Sequence, residues 1–374
     1  MPKYFTKKEI IFMSSEFGKT IKVTVFGESH SAGIGAVISG IPAGIEIDMD
    51  RVVAFMALRA PGKNKLSTAR KEADLPEVLS GILDGVTTGS PICAVIRNTD
   101  TRSGDYKNIM DVPRPGHSDF AAYMRYGGKN DVRGGGHFSG RLTAPLCFAG
   151  AICLQILESK GIYVGAHIQS VGTVEDVRFD DVHPTIEGLT GPMWKPFPVI
   201  DDEAGAKMQQ EILAAAEDQD SIGGVIECVI AGVEPGFGAH MMDGVENRLA
   251  AAMFGVSAVK GIEFGSGFAG SRMRGSQNND PFCIEDGKVR TVTNHHGGSL
   301  GGITSGMPIR FAVAMKPTPS ISKPQQSVSL SKMEPETLVI KGRHDPCIVH
   351  RAVPVVAAVA AMTVLDMIYE GKGN

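Results

Sequence analysis

The chain has no excess charge of one sign. Its 374 residues carry 37 Lys and Arg against 41 Asp and Glu, a formal net charge of −4, and the isoelectric point lies near 6.2. Without a global basic field, a general nucleic-acid binder is disfavoured. Cysteine is sparse: the six, at 93, 147, 153, 228, 283 and 347, form no C-x-x-C pair and stand mostly among apolar neighbours. That pattern argues against a zinc site or a disulfide framework and for buried free thiols in a reducing cytoplasm. The longest apolar run, Ala352 to Leu365, contains Pro354 and ends at Asp366. It is too short to span a bilayer and reads as a buried core helix. The opening MPKYFTKKEIIFMSS lacks the apolar stretch and cleavage site of a secretory signal. Residues 1–12 are expected to be an extension, disordered or loosely docked. Met13 is an alternative start, and 13–374 is expected to form one domain.

Several nucleotide and metal signatures are also missing. No strand is followed by G-x-G-x-x-G, so a Rossmann dinucleotide site is unsupported, and with it a nicotinamide-dependent oxidoreductase. Gly18-Lys19-Thr20 resembles the end of a P-loop, but methionine stands at 13, where that motif requires glycine. The histidines show no H-x-x-x-H spacing, and His295-His296 would diverge on a strand, so no metal site is expected.

What the chain does have is 43% hydrophobic and 21% charged residues, the profile of a soluble globular protein, and 46 glycines spread along its length. Strands are expected at Lys22–Phe26, Ala36–Ser39, Ile92–Arg97, Gly224–Ala231 and Met307–Ala314. Helices are expected at Asp50–Leu58, Arg141–Lys160, Asp202–Glu217, Met242–Lys260 and Pro354–Glu370. The two kinds interleave without doubly wound spacing, no repeat is evident, and one large α+β domain is the reading. Gly265–Gly306 and Lys316–Lys332 are expected to be long functional loops.

The densest chemistry lies in Arg114–Arg141, RPGHSDFAAYMRYGGKNDVRGGGHFSGR. It holds four arginines and one lysine against two aspartates, a formal +3, with two histidines and seven glycines. Glycine permits close backbone approach, arginine grips phosphate or carboxylate with a planar fork, and histidine moves a proton near neutral pH. Arg114-Pro-Gly-His117 would set a histidine beside an arginine. Arg133-Gly-Gly-Gly leads through Ser139 and Arg141 into a helix start, a natural anion site.

Four other segments bear on the site. Phe26–Gly44 ends a strand at Gly27-Glu28 and presents Ser29, His30 and Ser31, with His30 either facing the site or structural. In Arg59–Asp74, Arg59 precedes a Pro-Gly turn that fixes its direction, while Lys63, Lys65, Arg70 and Lys71 also suit a solvated loop. Thr293–Gly306 with Met315–Ser320 suits a phosphate-bearing cofactor, though ordinary turns look the same. Lys341–Arg351 sets Arg343, His344 and Asp345 before a proline, as site residues or as an ion pair capping the last helix.

Six motifs in order, GESH, RPGHSD, DVRGGG with the following Ser and Arg, TNHHGG with GGITSG, KPTPSI and GRHDPC, resemble those of the chorismate synthase family. The resemblance runs from about Met13 to the C-terminus. It implies a β-α-β sandwich with antiparallel sheets enclosed by helices, assembled as a homotetramer in the cytoplasm. The implied reaction is the last step of the shikimate pathway, toward aromatic amino acids: a lyase removes phosphate from 5-enolpyruvylshikimate 3-phosphate by anti-1,4-elimination and yields chorismate. Reduced FMN is required although the reaction is redox-neutral. By the same resemblance Arg59, Ser139, Arg141 and Arg343 contact substrate. His117 donates a proton near the flavin, His30 serves the substrate or departing phosphate, and Asp345 assists removal of the C6 proton. FMN sits against Arg114, His117, Asn294, Lys316, Ser320 and Arg343. Reduced flavin comes from an external reductase or from an intrinsic, NADP-linked activity.

The chain departs from the family pattern where RGGGRSSARET reads RGGGHFSGRLT, placing His137, Phe138, Gly140 and Leu142 at altered positions. The triple arginine before Pro-Gly is Leu58-Arg59-Ala60, and the glycine after GESH is Ser31. One arginine contact is therefore expected to be lost, or supplied by Lys63 or His137. The alternative reading is a non-catalytic anion-binding paralogue with a drifted phosphate loop.

Overall fold

The structure is a computed structural model and describes residues 15–62, 66, 72–99, 111–340 and 345–371. Two five-stranded antiparallel sheets face each other across a layer of helices. The first sheet runs Glu16–Phe17, Lys22–Gly27, Gly33–Ser39, Ile92–Arg97, Pro76–Ser80 in spatial order. The second runs Val259–Phe264, Ile309–Met315, Gly224–Ala231, Tyr163–Val171, Val174–Glu175. Strand Ile92–Arg97 shows why one face of the first sheet turns inward: Ile92, Ala94 and Ile96 are buried and alternate with less buried neighbours. Helix Thr143–Glu158 packs on that sheet, and helix Val349–Gly371 packs on the second.

These two helices cross closely because small residues meet. A Cβ on Gly150 would fall 2.2 Å from the Ala358 methyl. Fully buried Phe148 and Ile152 on the first helix then fill the space beside the crossing, each contributing about 1.5–3 kcal/mol. A third helix, Met49–Arg59, lies against both. It starts where the Asp48 side chain accepts from Arg51 N at 3.0 Å and ends at Ala60, before Pro61. Arg59, at its last turn, is thereby aimed into the interior.

The α+β class and the β-α-β order are as expected. Helices Thr143–Glu158 and Val349–Gly371 lie between the two sheets, and the Tyr163–Val171 strand of the second sheet also meets helices Ile186–Thr190 and Asp202–Glu217. The C-terminal helix is 23 residues, longer than the apolar run suggested, and by length and composition could cross a membrane; 94% of its most apolar 18-residue stretch is buried between the layers.

Other boundaries differ for local reasons. The helix expected over Met242–Lys260 spans Val245–Phe254, and strand Val259–Phe264 starts after a turn in which Ala258 takes φ +76°. The segment Gly265–Gly306 is no open loop: it holds two short helical turns and two hairpins. One hairpin turns on Asp286-Gly287, both at positive φ, a signal the sequence carries. Lys316–Lys332 contains strand Gln325–Ser329, paired with Glu334–Leu338. His295 and His296 sit in a turn and converge, both Nδ1 atoms facing Asp280 at 3.0 and 2.5 Å, instead of diverging. The extension 1–12, Met13, Lys63, Lys65, Arg70, Lys71, Arg343 and His344 lie outside the described residues.

Candidate active site

A cavity of about 540 Å³ opens between the layers, at the ends of helices Met49–Arg59 and Val349–Gly371. Its wall includes Arg59, Arg114, His117, Ser139, Arg141 and Asp345, brought together from distant segments, and on another side Lys316 and Ser320. The glycine turn makes this convergence possible. Gly134, Gly135 and Gly136 all take positive φ, and Ser29 N donates to Gly136 O at 3.1 Å, docking the GESH turn beneath it. The helix start expected after Arg141 begins with a short 3-10 turn, Gly140–Leu142, where the Ser139 side chain accepts from Arg141 N.

The arginines arrive already paired. Arg59 Nη1 donates to Asp74 Oδ2 at 2.7 Å, and Arg141 Nη1 donates to the other Asp74 oxygen. Arg141 Nε donates to Asn98 Oδ1 at 3.0 Å, and its Nη2 lies 3.6 Å from Glu72. Burial depresses the Arg141 pKa, and Asp74 opposes that shift. Arg351, which the motifs did not flag, lines the same cavity. Its Nη1 donates to Asp345 Oδ2 at 2.6 Å and its Nε to the Arg59 carbonyl at 3.0 Å. Paired charges keep the desolvation cost of a buried cluster bearable, and N–H groups not facing a carboxylate remain available to an anion. Lys316 differs: among the described residues it has no carboxylate partner, its ammonium donating to the Gly116 carbonyl. Burial, with Lys260 nearby, lowers its pKa.

His117 borders the cavity, and a Cβ on Gly135 would lie 3.3 Å from its Nε2. His30 is buried but does not line the cavity. Its ring lies behind Gly134, where an added Cβ would come within 2.3 Å of it. Asn294 stands apart from these wall residues. Its Nδ2 donates to the Asp181 and Pro308 carbonyls at 2.8 and 2.9 Å and its Oδ1 accepts from Gly298 N at 3.0 Å, so it pins a turn away from the cavity. Residues that the motifs missed include Ser257 and Ala258, on a stretch of wall outside every glycine motif; a Ser-Ala pair after an amphipathic stretch carries no local signal.

The departures from the family pattern resolve into local structure. His137 lines the cavity with both ring nitrogens engaged: its Nδ1 meets the Gly27 carbonyl at 2.8 Å and its Nε2 the Ser15 hydroxyl at 2.8 Å, latching the first strand. Leu142 joins the core, and Ser31 Oγ closes its own turn by donating to carbonyls and accepting from Glu28 N at 3.1 Å. Phe138 leans on Tyr126, ring centroids 6.3 Å apart.

A flavin fits these residues. Thr318 Oγ1 is buried with no hydrogen-bond partner among the described residues, in the wall segment that also carries Lys316 and Ser320. An orphaned hydroxyl beside a lysine suits a phosphorylated group.

The whole chain bears the same comparison. The chorismate synthase family model matches residues 21–369. The chain is 44% identical over 354 residues to the chorismate synthase of Korarchaeum cryptofilum, covering 94% of this chain and 96% of that one. It is 47% identical over 349 residues to that of Pyrococcus abyssi, covering 93% and 96%. A crystal structure of chorismate synthase superposes with a TM-score of 0.76 at 28% identity, over 96% of this chain and 94% of the other. Matched by the family model over residues 21–369 and by these relatives over more than nine-tenths of its length, the chain belongs to the chorismate synthase family.

Proposed function

We propose that the cavity performs the chorismate synthase reaction, with 5-enolpyruvylshikimate 3-phosphate as substrate. The C3–O bond to phosphate and the C6–H bond break, and the electrons left form the second ring double bond of chorismate. The observation that carries this reading is the convergence of His117, Asp345, Arg59 and Arg141 on one cavity. The family uses reduced flavin, and reduced FMN when bound would lend the substrate electron density as the C3–O bond breaks, with no net change in redox state.

The chain's own residues supply the rest. Arg59 offers N–H groups not engaged by Asp74 to the substrate's carboxylates or phosphate, and Ser139 adds a hydroxyl. Arg141 braces Asp74 and Asn98 and presents its remaining edge. Lys316, Thr318 and Ser320 would hold the cofactor's phosphate side, with Arg114 beside them. Asp345, held by Arg351, assists removal of the C6 proton through its carboxylate, and His117 holds a proton for transfer at the cavity. His30 supports the Gly134 turn from behind and reaches the departing phosphate only if that turn moves. Fixed donors aimed at the cavity favour charge that develops as the phosphate leaves.

A homotetramer in the cytoplasm and an external supply of reduced FMN belong to the same reading. Exposed Phe268, Phe282 and Ile284 support an assembled state. The test is anaerobic incubation with reduced FMN and substrate, following chorismate and phosphate together. Absence of both products, with no flavin spectral change on adding substrate, would leave the paralogue reading in its place.

A further inference from the structure

We propose that Asp119 is a positioning residue for His117, fixing the imidazole with its proton on Nδ1 so that Nε2 is the nitrogen that serves the cavity; this rests on the function proposed above. Asp119 Oδ1 lies 2.6 Å from His117 Nδ1. A contact that short between a carboxylate and a ring nitrogen needs a proton between them, since two lone pairs would repel. Arg114 Nη2, which can only donate, also lies 3.1 Å from Nδ1 and competes for it as an acceptor, but it donates to Asp119 Oδ1 at the shorter 2.8 Å. We assign the ring proton to Nδ1 because the Asp119 contact is the shorter of the two at that nitrogen.

The carboxylate cannot rotate away. Its Oδ2 accepts from Arg114 Nε at 2.7 Å and from Arg114 N at 3.0 Å, while Oδ1 takes Arg114 Nη2 and the histidine. Burial alone would raise the Asp119 pKa, but hydrogen bonds from Arg114 and His117 outweigh it and hold the group well below the usual carboxylate range. Asp119 is also the first residue of helix Asp119–Tyr126, where negative charge is favoured. Arg114 Nη1 donates to Ser320 Oγ at 3.2 Å, tying this unit to the Lys316–Ser320 wall. The groups facing His117 Nδ1 are thus Arg114, Asp119 and the Ser118 hydroxyl at 3.4 Å. Asp119 is not part of the cavity wall, so its effect passes through the ring, the logic by which a carboxylate sets a histidine's tautomer.

The experiment compares the full chain with Asp119→Asn and Asp119→Glu, all labelled with ¹⁵N-histidine, the His117 signals being assigned by their loss in His117→Gln. Wild type is expected to show the Nδ1–H form, and Asp119→Asn a mixed or reversed tautomer. Turnover should fall about 100-fold or more in Asp119→Asn while KM for substrate moves less than about threefold. Asp119→Glu, which keeps the carboxylate, should restore part of the wild-type tautomer and turnover. A wild-type His117 carrying its proton on Nε2 overturns the proposal without any variant, as does an Asp119→Asn protein with unchanged tautomer and turnover. Because the tautomer is read without substrate, a wild type that makes no chorismate sinks the functional reading and leaves this test intact.

Discussion

Arg59 and Asp74 form a 2.7 Å ion pair whose side chains are only 4% and 0% exposed. The same carboxylate also receives Arg141, so one anion organises two of the cavity's cations. Asp74 takes φ +52°, a conformation Asn tolerates as well as Asp. Asp74→Asn is therefore expected to keep the backbone and remove the charge, leaving two buried guanidiniums short of a partner. Breaking such a pair costs about 3–5 kcal/mol, which urea unfolding would read directly.

Arg59 and Arg141 should separate by kinetics. Arg141 spends its fork on Asp74, Asn98 and the Arg97 carbonyl, whereas Arg59 commits Nη1 to Asp74 at the cavity edge. In Arg59→Lys, a point charge cannot serve both Asp74 and a substrate anion, and KM should rise about tenfold or more with the fold retained, since one charged hydrogen bond is worth roughly 1.5–3 kcal/mol. In Arg141→Lys, thermal stability should fall first. Equal effects of the two variants on KM and on melting temperature would refute the division.

Gly134 is the position where the smallest change should do the most. It takes φ +60°, and a Cβ there would meet two His30 ring atoms at 2.3 Å and Ser29 Oγ at 2.8 Å. Gly134→Ala should displace His30 or lift the turn, and an ångström of misplacement at a site can cost about 100-fold in rate. By contrast Gly140 has nothing within 4 Å of an added Cβ, and Gly140→Ala should leave turnover within about twofold.

A second charged network, away from the cavity, should set the pH dependence of stability. His167 is buried with Nδ1 3.0 Å from Asp176 and Nε2 2.9 Å from Glu227, which also receives Arg310 Nε at 2.6 Å. Burial would lower the imidazole pKa, but the two carboxylates raise it. Burial would raise both acids, but His167 and their other donors hold them below the usual range. A raised histidine stabilises fully below its unfolded value of about 6.5 and loses that as pH rises through its folded pKa; the acids stabilise above about 4 and lose it as pH falls through theirs. Urea midpoints should decline on the alkaline side in wild type and stay flat there in His167→Gln. Parallel curves for the two proteins would remove His167 from the account.

Thiol chemistry offers an independent check of the core. Burial pushes Cys147, Cys153 and Cys347 up to about 12 and Cys228 higher still, while Cys93 and Cys283 are partly accessible. Native labelling should modify Cys93 and Cys283 within minutes and the others only after denaturation. Rapid native modification of Cys147 would mean that the inner helix layer opens.

Elements with a strong local signal are legible in the amino-acid sequence itself. Strands Ile92–Arg97 and Gly224–Ala231 and helix Asp202–Glu217 begin and end where alternation, capping residues and flanking Gly or Asp place them. The helix expected to reach Lys260 stops short because Gly255 and the β-branched residues after it compete with an alanine-rich run, and sheet pairing with Ile309–Met315 decides the outcome. His117, Ser139, Lys316 and Asp345 line the cavity, whereas Asn294 lies in an equally glycine-rich turn with its amide bonded to backbone groups.

The amino-acid sequence alone determined the residue types the site must hold, because glycine turns, arginine forks and histidine are local chemical facts carried by short motifs. Tertiary structure alone decided which charges neutralise which. Asp74 and Arg141 are 67 residues apart and meet only when the glycine turn closes over the first sheet. Arg351 finds Arg59 across 292 residues, and the layer order buries both ends. Pairing of buried charge depends on distances of a few ångströms set by the packing of whole layers, and no window of sequence contains that information.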